Sequence, residues 1–226
     1  ASSGGTVSPL GHESDSNTWY GLDAGHAGPT AGHNAFFGES AGYAVTTGCC
    51  NTFIGRAAGI ANTQGVNNSI VGNQAAWSNV TGSDNTFVGR ASGFNNTASQ
   101  NTYVGSFTGY ANTSGTEQVF IGYESGRANT TSEGGTYVGF QAGKAATASY
   151  NTLIGSLAGT VTTTGSGNTF VGRRAGNYNT EGNYNTALGY YAAENNTTGG
   201  YNVALGYQAG DGNTTGSQNT YVGGYS

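Results

Sequence analysis

The stretch NTFVGRASGFNNT at residues 85–97 returns, barely altered, along the whole chain: NTFIGRAAGIANT at 51, NTYVGSFTGYANT at 101 and NTFVGRRAGNYNT at 168. With the Asn of the leading Asn-Thr taken as position 1, units begin at residues 17, 34, 51, 68, 85, 101, 118, 135, 151, 168, 185, 202 and 219. Ten of the twelve intervals have a length of seventeen and two have a length of sixteen. Position 5 is glycine in all thirteen units, in a chain where 42 of 226 residues are glycine. Agreement by chance would be on the order of one in 10⁹. Position 4 is always apolar, and Val, Ile or Leu from Ile54 onward. Position 8 is Ala, Ser or Thr, and position 9 is glycine except at Ala76 and Ala193. Any fold of this chain has to serve that period.

A 17-residue unit is too short for a helix–turn–helix repeat, which takes about 34 residues. A helix inside it would also have to hold two glycines and a β-branched pair, each unfavourable there. By contrast NTFVG reads as a short strand, β-branched and aromatic residues ended by glycine. The NTTG that follows is turn chemistry, with Asn tolerating the left-handed region and glycine supplying positive φ. One strand plus turns in every unit makes one coil of a β-solenoid. The expected fold is therefore all-β: about thirteen 17-residue coils in parallel, in-register stacking at ~4.8 Å, strands at positions 2–4 and almost no helix. Residues 17–226 form the repeat domain and residues 1–16 an N-terminal arm that links subunits.

The columns then take physical roles. Residues alternate faces along a strand, so positions 2 and 4 share one face and 1 and 3 the other. The uniformly apolar position 4 is expected inside, opposite the small residue at position 8. Asn at position 1, in eleven of thirteen units, is expected to form an amide ladder, each side chain bonding the next. The glycine columns at positions 5 and 9 mark bends where a Cβ collides or the backbone needs special dihedrals. With position 4 inside, position 3 faces out, and Phe53, Phe87, Tyr103, Phe120, Tyr137 and Phe170 make an aromatic surface stripe about 60 Å long. In a flattened coil, other segments would fold over position 3 and bury it instead.

Composition agrees with a thin, repeated core. Leu, Ile, Val and Phe together number 33 of 226 residues, too few for one thick core but enough for a narrow one built many times. Six basic residues, scattered, and a net charge of −5 argue against nucleic acid, which needs a clustered basic face. No apolar run approaches the ~18–20 residues of a membrane-spanning helix. The opening ASSGGTVSPLG lacks the basic and apolar regions of a signal peptide, and the chain begins with Ala and has no Met. It reads as a processed, extracellular product.

The unit N-T-x-[VIL]-G-x-x-A-G-x-x-N-T-T-G over residues 17–226 resembles tandem repeats of large bacterial surface proteins and phage tail-fibre-like proteins. It is similar in type to the β-roll heads of trimeric autotransporter adhesins, whose coils are shorter. The resemblance implies an extracellular role, at a cell surface or in a virion fibre.

Candidate chemistry is sparse. His12, His26 and His33 cluster near the start of the chain, close to Asp15 and Asp23, but a nucleophilic triad needs a pocket that a thin solenoid end does not offer. They read as surface or subunit-contact residues. Calcium-binding β-rolls repeat Asp, and this chain has only Asp15, Asp23, Asp84 and Asp211, so no metal or other cofactor is expected. Cys49 and Cys50 are adjacent, and their Cα separation of about 3.8 Å is shorter than the usual ~4.4–6.8 Å disulfide span. Free thiols and a bond to another chain both stay open. Asn-x-Ser/Thr sequons at Asn79, Asn95, Asn112, Asn129, Asn196 and Asn213, with Asn67 and Asn195, are candidate glycosylation acceptors at exposed corners. The same residues are also what a turn requires.

The leading functional expectation is a structural subunit of a secreted fibre, not an enzyme. A glycan- or surface-binding adhesin module is the alternative. Ice binding needs two regular Thr columns on one exposed strand, and position 2 shares its face with apolar position 4, so no thermal hysteresis is expected. A polysaccharide-lyase type of enzyme needs a charged groove that the sequence does not supply. Assembly follows from arithmetic: the half-coil NTYVGGYS at 219–226 and the segment SPLGHESDS at 8–16 together complete one coil. Head-to-tail contacts are expected between Pro9, Leu10, Gly11 and His12 of one subunit and Asn219, Thr220, Tyr221 and Val222 of the next, giving a homopolymer with ~60 Å axial rise.

Overall fold

A computed structural model describes residues 16–226; the arm residues 1–15, with Pro9, Leu10, Gly11 and His12, lie outside them. Thirteen short strands occupy positions 2–4 of their units. In chain order they are β1 (Thr18–Tyr20), β2 (Ala35–Phe37), β3 (Thr52–Ile54), β4 (Ser69–Val71), β5 (Thr86–Val88), β6 (Thr102–Val104) and β7 (Val119–Ile121). There follow β8 (Thr136–Val138), β9 (Thr152–Ile154), β10 (Thr169–Val171), β11 (Thr186–Leu188), β12 (Val203–Leu205) and β13 (Thr220–Val222). They form one parallel sheet in sequence order. Pairing is position to position throughout, as in Phe87↔Tyr103 and Tyr103↔Phe120. There is no helix among the described residues. The protein is an all-β solenoid.

The rest of each coil is turn, yet it too is stitched to its neighbours. The Gly105 amide donates to Val88 O at 2.7 Å, Phe107 N to Arg90 O at 2.9 Å, and Gly109 N to Ser125 O at 3.0 Å. Amides at positions 5 and 7 thus point to the coil before and those at positions 9, 11 and 13 to the coil after, which pairs much of the backbone without a second sheet. The path takes left-handed residues at positions 7, 9 and 17, met at 7 and 17 by side chains as bulky as Phe107 (φ 58°) and Tyr184 (φ 56°). The two shorter units lose one residue between position 13 and the next strand. In a full-length unit the amides of Thr46, Thr47 and Gly48 all donate to Thr63 O at 3.0–3.1 Å; in the shorter unit Thr97 N alone reaches Thr113 O, at 2.9 Å.

The sequence assigned the two strand faces the wrong way round. Position 3 is the core: Phe36, Phe53, Phe87, Tyr103, Phe120, Tyr137, Leu153 and Phe170 are buried to 1% exposure or less. The expected surface stripe of Phe53, Phe87, Tyr103, Phe120, Tyr137 and Phe170 is therefore interior. Its rings stack down the axis, with centroids 4.7 Å apart for Phe87–Tyr103, 5.0 Å for Tyr103–Phe120 and 4.5 Å for Phe120–Tyr137. Position 4 points outward, with Ile54, Val88 and Ile121 at 40, 38 and 37% exposure. The reason is area. Segment 6–13 of the unit folds back over one face of the strand only, and burying a ring removes more apolar surface from water than burying a Val. Glycine at position 9 makes room, because a Cβ on Gly109 would lie 2.5 Å from the Tyr103 ring. At position 5, Gly105 has φ 137° and a Cβ there would meet Gly122 O at 2.5 Å. Both reasons offered for that column hold together.

Candidate interaction surfaces

The Asn column at position 1 shares the interior with position 3. Its ladder runs mainly through the backbone: Asn51 N donates to Asn34 Oδ1 at 3.0 Å and Asn68 N to Asn51 Oδ1 at 2.9 Å. The free amide nitrogen reaches the corner, as Asn51 Nδ2 does to Gly65 O at 2.8 Å. Direct side-chain rungs also occur, for example Asn68 Nδ2 to Asn51 Oδ1 at 3.1 Å.

A second buried Asn column lies at position 12, and it corrects the glycosylation reading. Asn79, Asn112, Asn129 and Asn196 are buried to 2% exposure or less. Asn79 Nδ2 donates to Gly82 O at 3.1 Å while Gly82 N donates back to Asn79 Oδ1 at 2.7 Å, and Asn112 clamps Gly115 the same way. A glycan on that nitrogen would break the clamp and enter the core. Of the remaining sequons, Asn95 and Asn213 are half-buried and Asn67 and Asn195 exposed.

In the middle of the rod the two columns and the core join. Asn112 Nδ2 donates to Tyr103 Oη at 2.9 Å, and that hydroxyl donates to Gln118 Oε1 at 2.6 Å. Gln118 stands where most units have Asn, and its longer side chain reaches Asn129 at 3.0 Å. Burial pushes the Tyr103 phenol well up and the Tyr137 phenol to about 12.

Outside, three surfaces stand out. The first is the flat side of the sheet, where position 2, mostly Thr, alternates with aliphatic position 4. Position 4 is exposed beside position 2, so the face carries one Thr column and one aliphatic column, not the two Thr columns that ice binding needs. The second is the position 10 column, which sequence reading missed. Trp77, Phe94 and Tyr110 stack with centroids 5.7 and 5.1 Å apart. The column continues into an open cleft of about 630 Å³ lined by Tyr110, Arg127, Gln141, Lys144, Thr160 and Val161 among others. Glu124, on the turn beneath, pairs with Arg127 and with Lys144 at 2.7 Å, and the Lys144 ammonium holds its carboxyl below the ordinary value. The third is a cluster near the C-terminal coils, where Arg173 donates to Tyr190 at 2.7 Å and to Tyr191 at 2.8 Å. Hydrogen bonds from Tyr190 and both guanidinium groups bring Tyr191 down to about 8.

The other sequence candidates stay apart. His26 stacks on Tyr43 at 4.6 Å and lies 3.6 Å from Asp23, while His33 is exposed one coil corner away. Cys49 and Cys50 are free thiols with sulfurs 3.1 Å apart, and their hydrogen bond pushes the Cys49 thiol up. No group of three or more His, Cys, Asp or Glu is placed to hold a metal among the described residues. Of the assembly residues, Asn219, Thr220, Tyr221 and Val222 belong to the last coil, where Tyr221 packs against the core and Thr220 and Val222 are exposed.

No family model, curated protein or solved structure matches the chain.

Proposed function

We propose that this chain is a structural subunit of a secreted, extracellular fibre, joined head to tail through its N-terminal arm and its last coil. The observation that carries this reading is the sameness of the coil edges. Every coil from β1 to β12 presents one edge to its successor in one register, and among the described residues β13 is paired on the β12 side. A coil edge of this kind is a template for an added strand. A heterologous contact that repeats without closing yields a filament. The resemblance to bacterial surface and tail-fibre repeats points the same way. Negative-stain imaging of the purified protein tests it. Filaments with a ~60 Å axial repeat are expected, shortened to single rods by removal of residues 1–16 or by Thr220→Pro, which deletes an edge donor. Long filaments from both variants, or a discrete monomer or closed trimer from the intact protein, would overturn it.

One observation favours the second reading, a glycan- or surface-binding module: the Trp77–Phe94–Tyr110 column runs into a cleft carrying Arg127 and Lys144. Against it, the ring faces that would stack on a sugar are spent on one another. Saturable binding to an immobilised glycan, lost in Trp77→Ala and Tyr110→Ala, would favour this reading.

A further inference from the structure

The outward face of the sheet poses a problem that strand propensity does not solve. Positions 2 and 4 have the same extended backbone and the same side of the sheet. Thr is the commonest residue at position 2 and never occurs at position 4, which is aliphatic in eleven successive units from Ile54 to Val222. Thr and Val are both good strand formers, so propensity alone would let Thr into either column. Exposed apolar residues scattered singly need no explanation, but a continuous apolar column does. Neither column carries a charge in any of the thirteen units, although the chain has six basic and eleven acidic residues. The flanks do carry charge, with Arg56 and Arg90 at position 6 and Asp84 and Glu117 at position 17. An uncharged, aliphatic strip with a charged rim has the anatomy of a protein interface.

We propose that this face is a lateral pairing surface, covered by the same face of a second copy of the chain. Two such sheets pack about 10 Å apart, and columns repeating at ~4.8 Å let the β-branched side chains of one copy seat between those of the other. The area suffices. Twelve spacings by the width of one short strand give roughly 60 by 10 Å, hence about 1,200 Å² over both copies, the lower bound for a specific interface. The contact is isologous and closes at two copies. It uses the broad face, not the strand edges, and so does not rest on head-to-tail joining.

Ile121 lies on β7, the central strand of thirteen, and so meets its own counterpart whichever way two rods are aligned. In a Cys49→Ser, Cys50→Ser background, Ile121→Cys is expected to be joined to its counterpart by a short bis-maleimide, since sheets ~10 Å apart are too far for a direct disulfide, while Thr113→Cys at the exposed corner stays single. The triple variant Val88→Lys, Ile121→Lys, Ile154→Lys should halve the mass read by light scattering, with its β circular-dichroism signal retained. The crosslink decides the matter even if the lysine variant folds poorly. No dimer above the Thr113→Cys control would overturn the proposal. So would a single-copy protein showing thermal hysteresis that the lysine variant abolishes, which would give the face to ice. Filament length reports the end-to-end reading and pairing reports this one, so the two fail separately.

Discussion

Asn62 is the one Asn of the position 12 column whose buried side chain has no hydrogen-bond partner among the described residues. One coil earlier the same position is Val45, fully buried, so the site accepts a β-branched apolar side chain. Asn62→Val should raise stability by on the order of 1 kcal/mol, since it removes an unsatisfied amide and leaves no partner stranded. Asn112→Val should do the reverse and cost about 1–3 kcal/mol, because Gly115 N and the Tyr103 hydroxyl lose their partner. Urea midpoints of the two variants check both signs. Buried phenols set a pH limit as well. Tyr137 titrates at about 12 in the fold, above its ordinary 10.0. A raised folded value means its contribution is complete below about pH 10 and is lost as pH climbs toward 12. Tyr137→Phe should therefore lose less stability than the parent between about pH 8 and about pH 11, as read by denaturant midpoints. An equal loss in both would show that this ring does not govern the alkaline limb.

A single coil is held by its glycines. In Gly105 the backbone at φ 137° and the Gly122 carbonyl 2.5 Å from a would-be Cβ act together. Gly105→Val should cost well over the ~1 kcal/mol of a propensity effect, and a thermal midpoint equal to the parent's would refute that account. The strand at positions 2–4, the parallel register and this glycine column were all legible from the period, because each follows from stacking identical shapes. Which face turns inward was not. Both faces of the strand carry apolar residues, and alternation fixes which residues go together without saying where either pair goes. Uniformity at position 4 looked like core packing, whereas the core column tolerates Phe, Tyr, Leu and even Ala187 and Ala204. The signal was present elsewhere in the unit. Small residues at positions 8 and 9 leave room for a ring, not merely for a methyl group, and Asn at position 1 shares its face with position 3. The left-handed residues at position 7 left little trace, since Phe107, Leu157 and Arg174 are not residues that advertise positive φ, and at position 17 the trace is patchy, with Asn67, Asp84 and Gly167 beside Tyr184. The buried clamp at position 12 was hidden behind a turn motif that reads equally as a sequon.

Taken whole, the molecule is close to one-dimensional: each coil touches only its neighbours, and stability is a sum over coils and the interfaces between them. Removing residues 101–117, one full unit, should leave a folded rod shorter by ~4.8 Å, in which Phe87 stacks directly on Phe120. Removing residues 101–109 should not, because the glycine and ring columns then fall out of step. Circular dichroism and small-angle scattering of the two deletions separate these outcomes. The corner after position 13 obeys a looser rule. Units of either length pass through it with the strands on both sides still in register, so the number of residues there is not tied to the pitch. A peptide spliced between Thr113 and Ser114 would leave the rod from a fixed rung at a fixed azimuth. Splices at two corners would stand apart by whole multiples of ~4.8 Å. The solenoid is thus a graduated peg-board, whose marks are set by the strands and whose holes lie at the corners.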